Sequence, residues 1–131
     1  MSDPANIVVF LVYFGTAVLL LLAFLAAYTL LTPIREWSQI RAGNTAVSVA
    51  LSGAMIGFAL PLASAILHTQ SLTDAVITAA IALVVQLACF AAMLLLRRDA
   101  AKALADGDMA EGVFLAALSV VLGILNAACL S

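Results

Sequence analysis

Charge is scarce in this chain, and what there is avoids the long apolar stretches. Only 9% of its 131 residues are Asp, Glu, Lys or Arg, against a hydrophobic content of 66%. No water-soluble fold covers that much apolar surface. Histidine occurs once, at His68, and the two cysteines, Cys89 and Cys129, stand far apart in sequence. There is no CxxC pair, no cluster of His, Cys, Asp and Glu at metal-ligand spacing, no Gly-rich phosphate loop and no basic patch, so no metal, no cofactor and no nucleic acid is expected. An enzyme is not expected either, because the apolar stretches hold no nucleophile beside a base. No Lys or Arg precedes Ile7, and the first apolar run far exceeds the roughly 7 to 15 residues of a signal-peptide core, so the first helix should remain in the mature protein.

What the chain has instead is four apolar runs, 7–31, 46–67, 75–96 and 112–130. A helix rises about 1.5 Å per residue, so spans of about 20 residues match a hydrocarbon core of about 30 Å. The expected fold is all-α: a single integral membrane domain over 1–131 with four transmembrane helices. Cys89 and Cys129 fall within the third and fourth runs, where small apolar packing is the expected role. Tyr28, near the end of the first run, suits an interfacial anchor.

The basic residues share two loops. Arg35 and Arg41 lie between the first and second runs, and Arg97, Arg98 and Lys102 between the third and fourth. The positive-inside rule makes both loops cytoplasmic and sets both termini, with the short turn after His68, on the outer (periplasmic) side of a bacterial inner membrane. In the first loop, Thr32 as a cap, Pro33 at the first helical position and Ile34, Trp37 and Ile40 on one face predict a short surface helix.

The second run is unusual for its small residues. Ala46, Ala50, Gly53, Gly57, Pro61 and Ser64 form one continuous stripe on a helix. Gly53 and Gly57 make a GxxxG match, and Pro61, lacking an amide hydrogen, leaves the Gly57 carbonyl in need of cover. The stripe is expected to pack against another helix of the same chain, a second copy being the alternative. Val47 and Phe58, off the stripe, are expected to tolerate substitution. The fourth run has a second stripe in Gly112, Ala116, Ser119, Gly123 and Ala127. Gln86 and Asn126 are the strong intramembrane polar residues, and an amide in hydrocarbon requires a partner on another helix.

Shifting the chain against itself by 64 residues aligns its halves without a gap: Gly43-Asn44-Thr45-Ala46 over Gly107-Asp108-Met109-Ala110, Val49 over Val113, Leu51 over Leu115 and Ala63 over Ala127. The halves, about 1–67 and about 68–131, each hold two spans, so both copies enter the membrane in the same direction. This predicts two tandem parallel two-helix repeats about a pseudo-twofold along the membrane normal, not an inverted repeat. The two stripes fall two positions apart under this offset, about 200° around a helix.

Gly43-Asn44-Thr45-Ala46, Gly53, Gly57, Ala63-Ser64-Ala65-Ile66, Asp74, Gln86 and Gly123-Ile124-Leu125-Asn126-Ala127-Ala128 together resemble the YjfL-like bacterial inner-membrane proteins, a family of unknown function. A Trp associated with the residues after the Asp is missing, Ala75-Val76-Ile77-Thr78 standing there. The resemblance implies four spans built from a duplicated two-helix unit. It also implies a setting in envelope or membrane-stress maintenance, since members are neighbours of membrane-stress proteins of the phage-shock type. The function expected is that of a structural or regulatory membrane component, in contact with the lipid bilayer, with a homo-oligomer or cytoplasmic and membrane proteins as partners. The alternative is an oligomeric channel or transporter whose uncharged pore is lined by Ser48, Ser52, Gln86 or Asn126.

Overall fold

A computed structural model describes residues 4–32, 36–97 and 99–130, the side chains of 4 and 5 excepted. Among the described residues six helices follow one another: α1 (Pro4–Leu31), α2 (Glu36–Arg41), α3 (Thr45–His68), α4 (Leu72–Leu96), α5 (Ala100–Ala105) and α6 (Met109–Leu130). Among the described residues there is no strand. α1, α3, α4 and α6 are each long and apolar enough to cross a membrane, whereas α2 and α5, of six residues each, are connectors. Pro33, Ile34, Arg35 and Arg98 lie outside the described residues, so the proposed start of the surface helix at Pro33 does too. The capping partners expected for Thr32 lie among those residues; its hydroxyl donates to the Tyr28 carbonyl at 3.2 Å and to the Glu36 carboxylate.

The two connectors are built alike, bond for bond. Gly43 and Gly107 have φ of 88° and 85°, a left-handed conformation that glycine adopts without a Cβ clash and that ends a helix. Backbone bonds Asn44 N to Gln39 O and Asp108 N to Ala103 O are both 2.9 Å. The Asn44 and Asp108 side chains then accept from Val47 N and Glu111 N, both at 3.2 Å. Each pair of equivalents is 64 residues apart. Across the connectors, the Asn44 amide donates to the Leu104 and Ala105 carbonyls at 2.8 and 3.1 Å. That bond holds both connectors at the same end of the bundle, and Arg41, Arg97 and Lys102 with them.

α3 lies at the centre. It packs against α6 most closely, and also against α4, α1 and α2. Its contacts with α6 ascend together in both helices, from Ala46 with Gly112 and Gly53 with Ala116 to Gly57 with Ser119 and Gly123, so α3 and α6 run parallel. The same numbering shows that they do not meet about a twofold. A twofold would bring equivalent faces together; here the faces used are two positions apart under the 64-residue offset, on nearly opposite sides of the helix.

On the other side of α3, Phe24, Tyr28, Phe58, Phe90, Leu51, Leu62 and Ala82 form the main core. Phe24 and Phe58 stack with centroids 4.8 Å apart, and Tyr28 sits 4.3 Å from Phe90. Tyr28 is therefore not an interfacial anchor. It is 3% exposed, because α1 turns a narrow stripe containing Phe24 and Tyr28 onto α3 and α4 and leaves the rest of its surface to lipid. Phe58 is fully buried, and Val47 joins a second cluster with Ala46, Ala50, Ala100, Leu104 and Leu115. Neither is a tolerant position. Cys89 is half-buried, while Cys129 faces outward and so does not pack internally.

Candidate functional site

The residues that chemistry singles out in the membrane converge on the parallel α3–α6 pair. Small side chains let the two backbones approach, since lipid tails are as apolar as any side chain and close van der Waals contact is what favours association. How close is clear from what an added methyl would strike. A Cβ on Gly112 would lie 2.6 Å from the Ala46 carbonyl oxygen, and one on Gly57 2.8 Å from the Ser119 carbonyl carbon. A Cβ on Gly53 would press into Ala116 at under 3.0 Å, and one on Gly123 would lie 2.6 Å from the Gly57 carbonyl carbon. The Gly57 carbonyl is the group freed by Pro61, four residues on. It is covered by the Gly123 backbone and not by lipid, where an unpaired carbonyl is costly. Further along, the Ser64 hydroxyl approaches the Ala127 carbonyl at 3.4 Å. The structure thus brings Ala46, Gly53, Gly57 and Ser64 of one stripe against Gly112, Ala116, Ser119 and Gly123 of the other, with Ala50 and Pro61 buried on the same face of α3.

The two amides lie beside this seam and tie α4 to α6. Gln86 donates to the Ser119 carbonyl at 3.1 Å, and Asn126 donates to the Ala82 carbonyl at 3.1 Å, with the Gln86 side-chain oxygen at 3.5 Å. Both amides are buried. The gap bounded by Phe24, Tyr28, Gln86, Phe90 and Ser119 has a volume of about 10 Å³, room for about one water. The chemistry available is therefore hydrogen bonding that fixes helix positions. Ser48 and Ser52 stand elsewhere, Ser52 on the outward face of α3 with its hydroxyl bonded back to the Ser48 carbonyl at 2.7 Å.

With this geometry in view, comparison with known proteins decides the kinship. The family described as Domain of Unknown Function (DUF350) matches residues 2–130. The chain belongs to the DUF350 family. Over 126 residues, 96% of each chain, it is 35% identical to the UPF0719 inner membrane protein YjfL of Escherichia coli strain K12, and equally to that of strain O157:H7. It is 40% identical over 47 residues to the UPF0719 transmembrane protein YshE of Bacillus subtilis, covering 36% of this chain and 35% of that one. No solved structure matches. Four spanning helices and kinship with DUF350 inner membrane proteins make this a multi-pass inner-membrane protein.

At the connector end, Arg97 pairs with Glu111 at 2.8 Å and lies 5.1 Å over the Phe114 ring, a cation–π contact. The second Glu111 oxygen is buried without a hydrogen-bond partner among the described residues. Arg41 and Lys102 are exposed. Sequence reasoning missed Glu36, which is 3% exposed against Thr32. Burial raises its pKa above the usual carboxylate value, partly opposed by a backbone hydrogen bond. Spacing in the first loop pointed to the Ile34, Trp37 and Ile40 face and gave no signal for an acid turned inward.

Proposed function

We propose that this protein is a structural or regulatory component of the inner membrane, with both termini outside and its basic connectors on the cytoplasmic side as surfaces for protein partners. The observation that carries the reading is the use made of the intramembrane amides. Gln86 and Asn126 donate to main-chain carbonyls of neighbouring helices, so each serves to fix helix against helix. A coupled transporter calls for an ionisable group within the membrane, and here the basic residues and most acids cluster at the helix ends and connectors. Catalysis has no place in this reading. Its setting is envelope maintenance under membrane stress, supported by resemblance to the YjfL-like proteins.

Connectors of this design suit the role. α2 and α5 are short, are fixed by the Asn44 amide, and present Arg41 and Lys102 outward. A change in how α3 and α6 pack moves Asn44 relative to Leu104 and so shifts one connector against the other. The alternative, an oligomeric channel, draws on the outward placement of Ser52 alone. Ion flux into liposomes containing the purified protein separates the two: the structural reading expects flux no greater than in empty liposomes, and flux lost on replacing Ser52 would overturn it in favour of the channel.

A further inference from the structure

The α3–α6 seam joins two different faces of two equivalent helices, and on each helix the strip equivalent to its partner's seam face is left exposed or half-exposed. Carried forward by 64 residues, the α3 seam residues Ala46, Ala50, Gly53, Gly57, Pro61 and Ser64 become Ala110, Phe114, Ala117, Val121, Leu125 and Ala128. All six of these are exposed. Carried backward, the α6 seam residues Gly112, Ala116, Ser119, Gly123 and Ala127 become Ser48, Ser52, Met55, Ala59 and Ala63, which are exposed or half-exposed on α3. An interface between unlike faces is heterologous: it does not close on itself but leaves one half of the contact free at each end. We infer that a second copy of this chain docks head to tail, laying the outer face of its α3 against the outer face of α6 in the first.

The outer helices follow the same rule. α4 packs against both α3 and α6, whereas α1 packs against α3 and α4 and has at most marginal contact with α6 among the described residues. A twofold pair would place α1 on α6 as α4 is placed on α3. In a head-to-tail row that missing contact is supplied by α1 of the next copy, so the interface continues the one already present within the chain. The connectors behave differently. Within the chain the Asn44 amide reaches the Leu104 and Ala105 carbonyls. Sixty-four residues away, the counterparts are Asp108 on one side and Ile40 and Arg41 on the other. Between copies this junction sets Asp108 against the main-chain carbonyls of Ile40 and Arg41, to which a carboxylate cannot donate as the Asn44 amide does, so the connector bond is not repeated and the helix faces carry the contact.

Shape agrees as well. The outer face of α3 is small at Ser48, Ser52, Ala59 and Ala63, with Met55 its one large side chain, while that of α6 carries Phe114, Val121 and Leu125. Large side chains of α6 meet a mostly small-residue strip of α3, so the helices stand further apart than in the inner seam. Copies inserted in one direction keep α3 and α6 parallel between chains as within one, and the assembly is a ring or a row in the membrane plane.

The register is specific. Gly53 meets Ala116, and Ser64 meets Ala127, inside the chain; the corresponding contacts between copies are Ala117 with Ser52 and Ala128 with Ala63. Disulfide formation in native membranes tests this, in a background with Cys89→Ala and Cys129→Ala. A chain carrying both Ser52→Cys and Ala117→Cys should give a ladder of cross-linked multimers on oxidation. Two populations carrying one substitution each should give dimers only, and each alone should remain monomeric. The pair Ala63→Cys with Ala128→Cys should behave in the same way, and Ile77→Cys, exposed on α4, serves as the collision control. Dimers formed by Ala117→Cys alone would show a twofold contact and overturn the inference. Cross-linking of both pairs no greater than at Ile77 would overturn it also.

Discussion

Replacing Gly57 by alanine adds one methyl where the α3 and α6 backbones are in close approach. The new carbon would lie 2.8 Å from the Ser119 carbonyl carbon and 3.0 Å from the Gln86 side-chain nitrogen, where ordinary contact begins at 3.4 Å. Two rigid backbones must then separate by several tenths of an ångström, and the Gln86 bond to the Ser119 carbonyl is strained with them. Overpacking of this kind costs about 1–3 kcal/mol, and loss of an interhelical hydrogen bond about 0.6 kcal/mol more. Alanine is also a better helix former than glycine by about 1 kcal/mol, which masks part of the effect. Gly15→Ala corrects for that gain, because Gly15 is also inside a helix and its Cβ would meet nothing within 4 Å. Thermal unfolding of the detergent-solubilised protein should place Gly57→Ala below wild type and Gly15→Ala at or above it, the two differing by about 2–4 kcal/mol. Equal stabilities for the two variants would refute the account of the seam.

Gln86→Leu and Asn126→Leu should each insert normally and lose roughly 1 kcal/mol in reversible unfolding, with the double variant losing less than the sum because the two amides are neighbours. Phe58→Ala should cost about 3–5 kcal/mol, whereas Ile56→Ala, on the lipid-facing side of the same helix, should be nearly silent in the same melt. Glu36 holds its proton more firmly in the folded protein than in the unfolded chain. Stability should therefore fall as pH rises from the ordinary glutamate value through the raised folded value, and Glu36→Gln should flatten that part of the pH profile. A reporter fused after Ser131 should be active outside the cytoplasm and one fused after Lys102 inside; the reverse pattern would invert the proposed orientation.

The spans were legible because each rests on local composition, and the ends the structure gives them are just as local. Gly43 and Gly107 end the connectors, Asn44 caps α3, and Ser71 caps α4 by accepting from Asp74 N at 3.1 Å. The small-residue stripes were visible for the same reason that they pack: nothing larger fits. What stayed hidden was the inward face of helices that are apolar all round. In water a buried face announces itself by hydrophobicity, but in lipid both faces are apolar, so Phe58 and Val47 looked no more inward than Ile56. Tyr28 looked like an anchor because its position near a helix end is also where anchors stand. Its burial depends on Phe24, Phe58 and Phe90 arriving from three helices, which no local pattern records.

The claim on which the rest depends is that the two small-residue faces meet inside one chain. In a Cys89→Ala and Cys129→Ala background, Ser64→Cys with Ala127→Cys places two thiols where the Ser64 hydroxyl now reaches the Ala127 carbonyl. Oxidation in membranes should yield a disulfide within single chains, seen as a monomer of altered mobility whose α3 and α6 remain joined after proteolysis in the α4–α5 connector. A disulfide found only between chains, with single chains separating on proteolysis, would contradict the account.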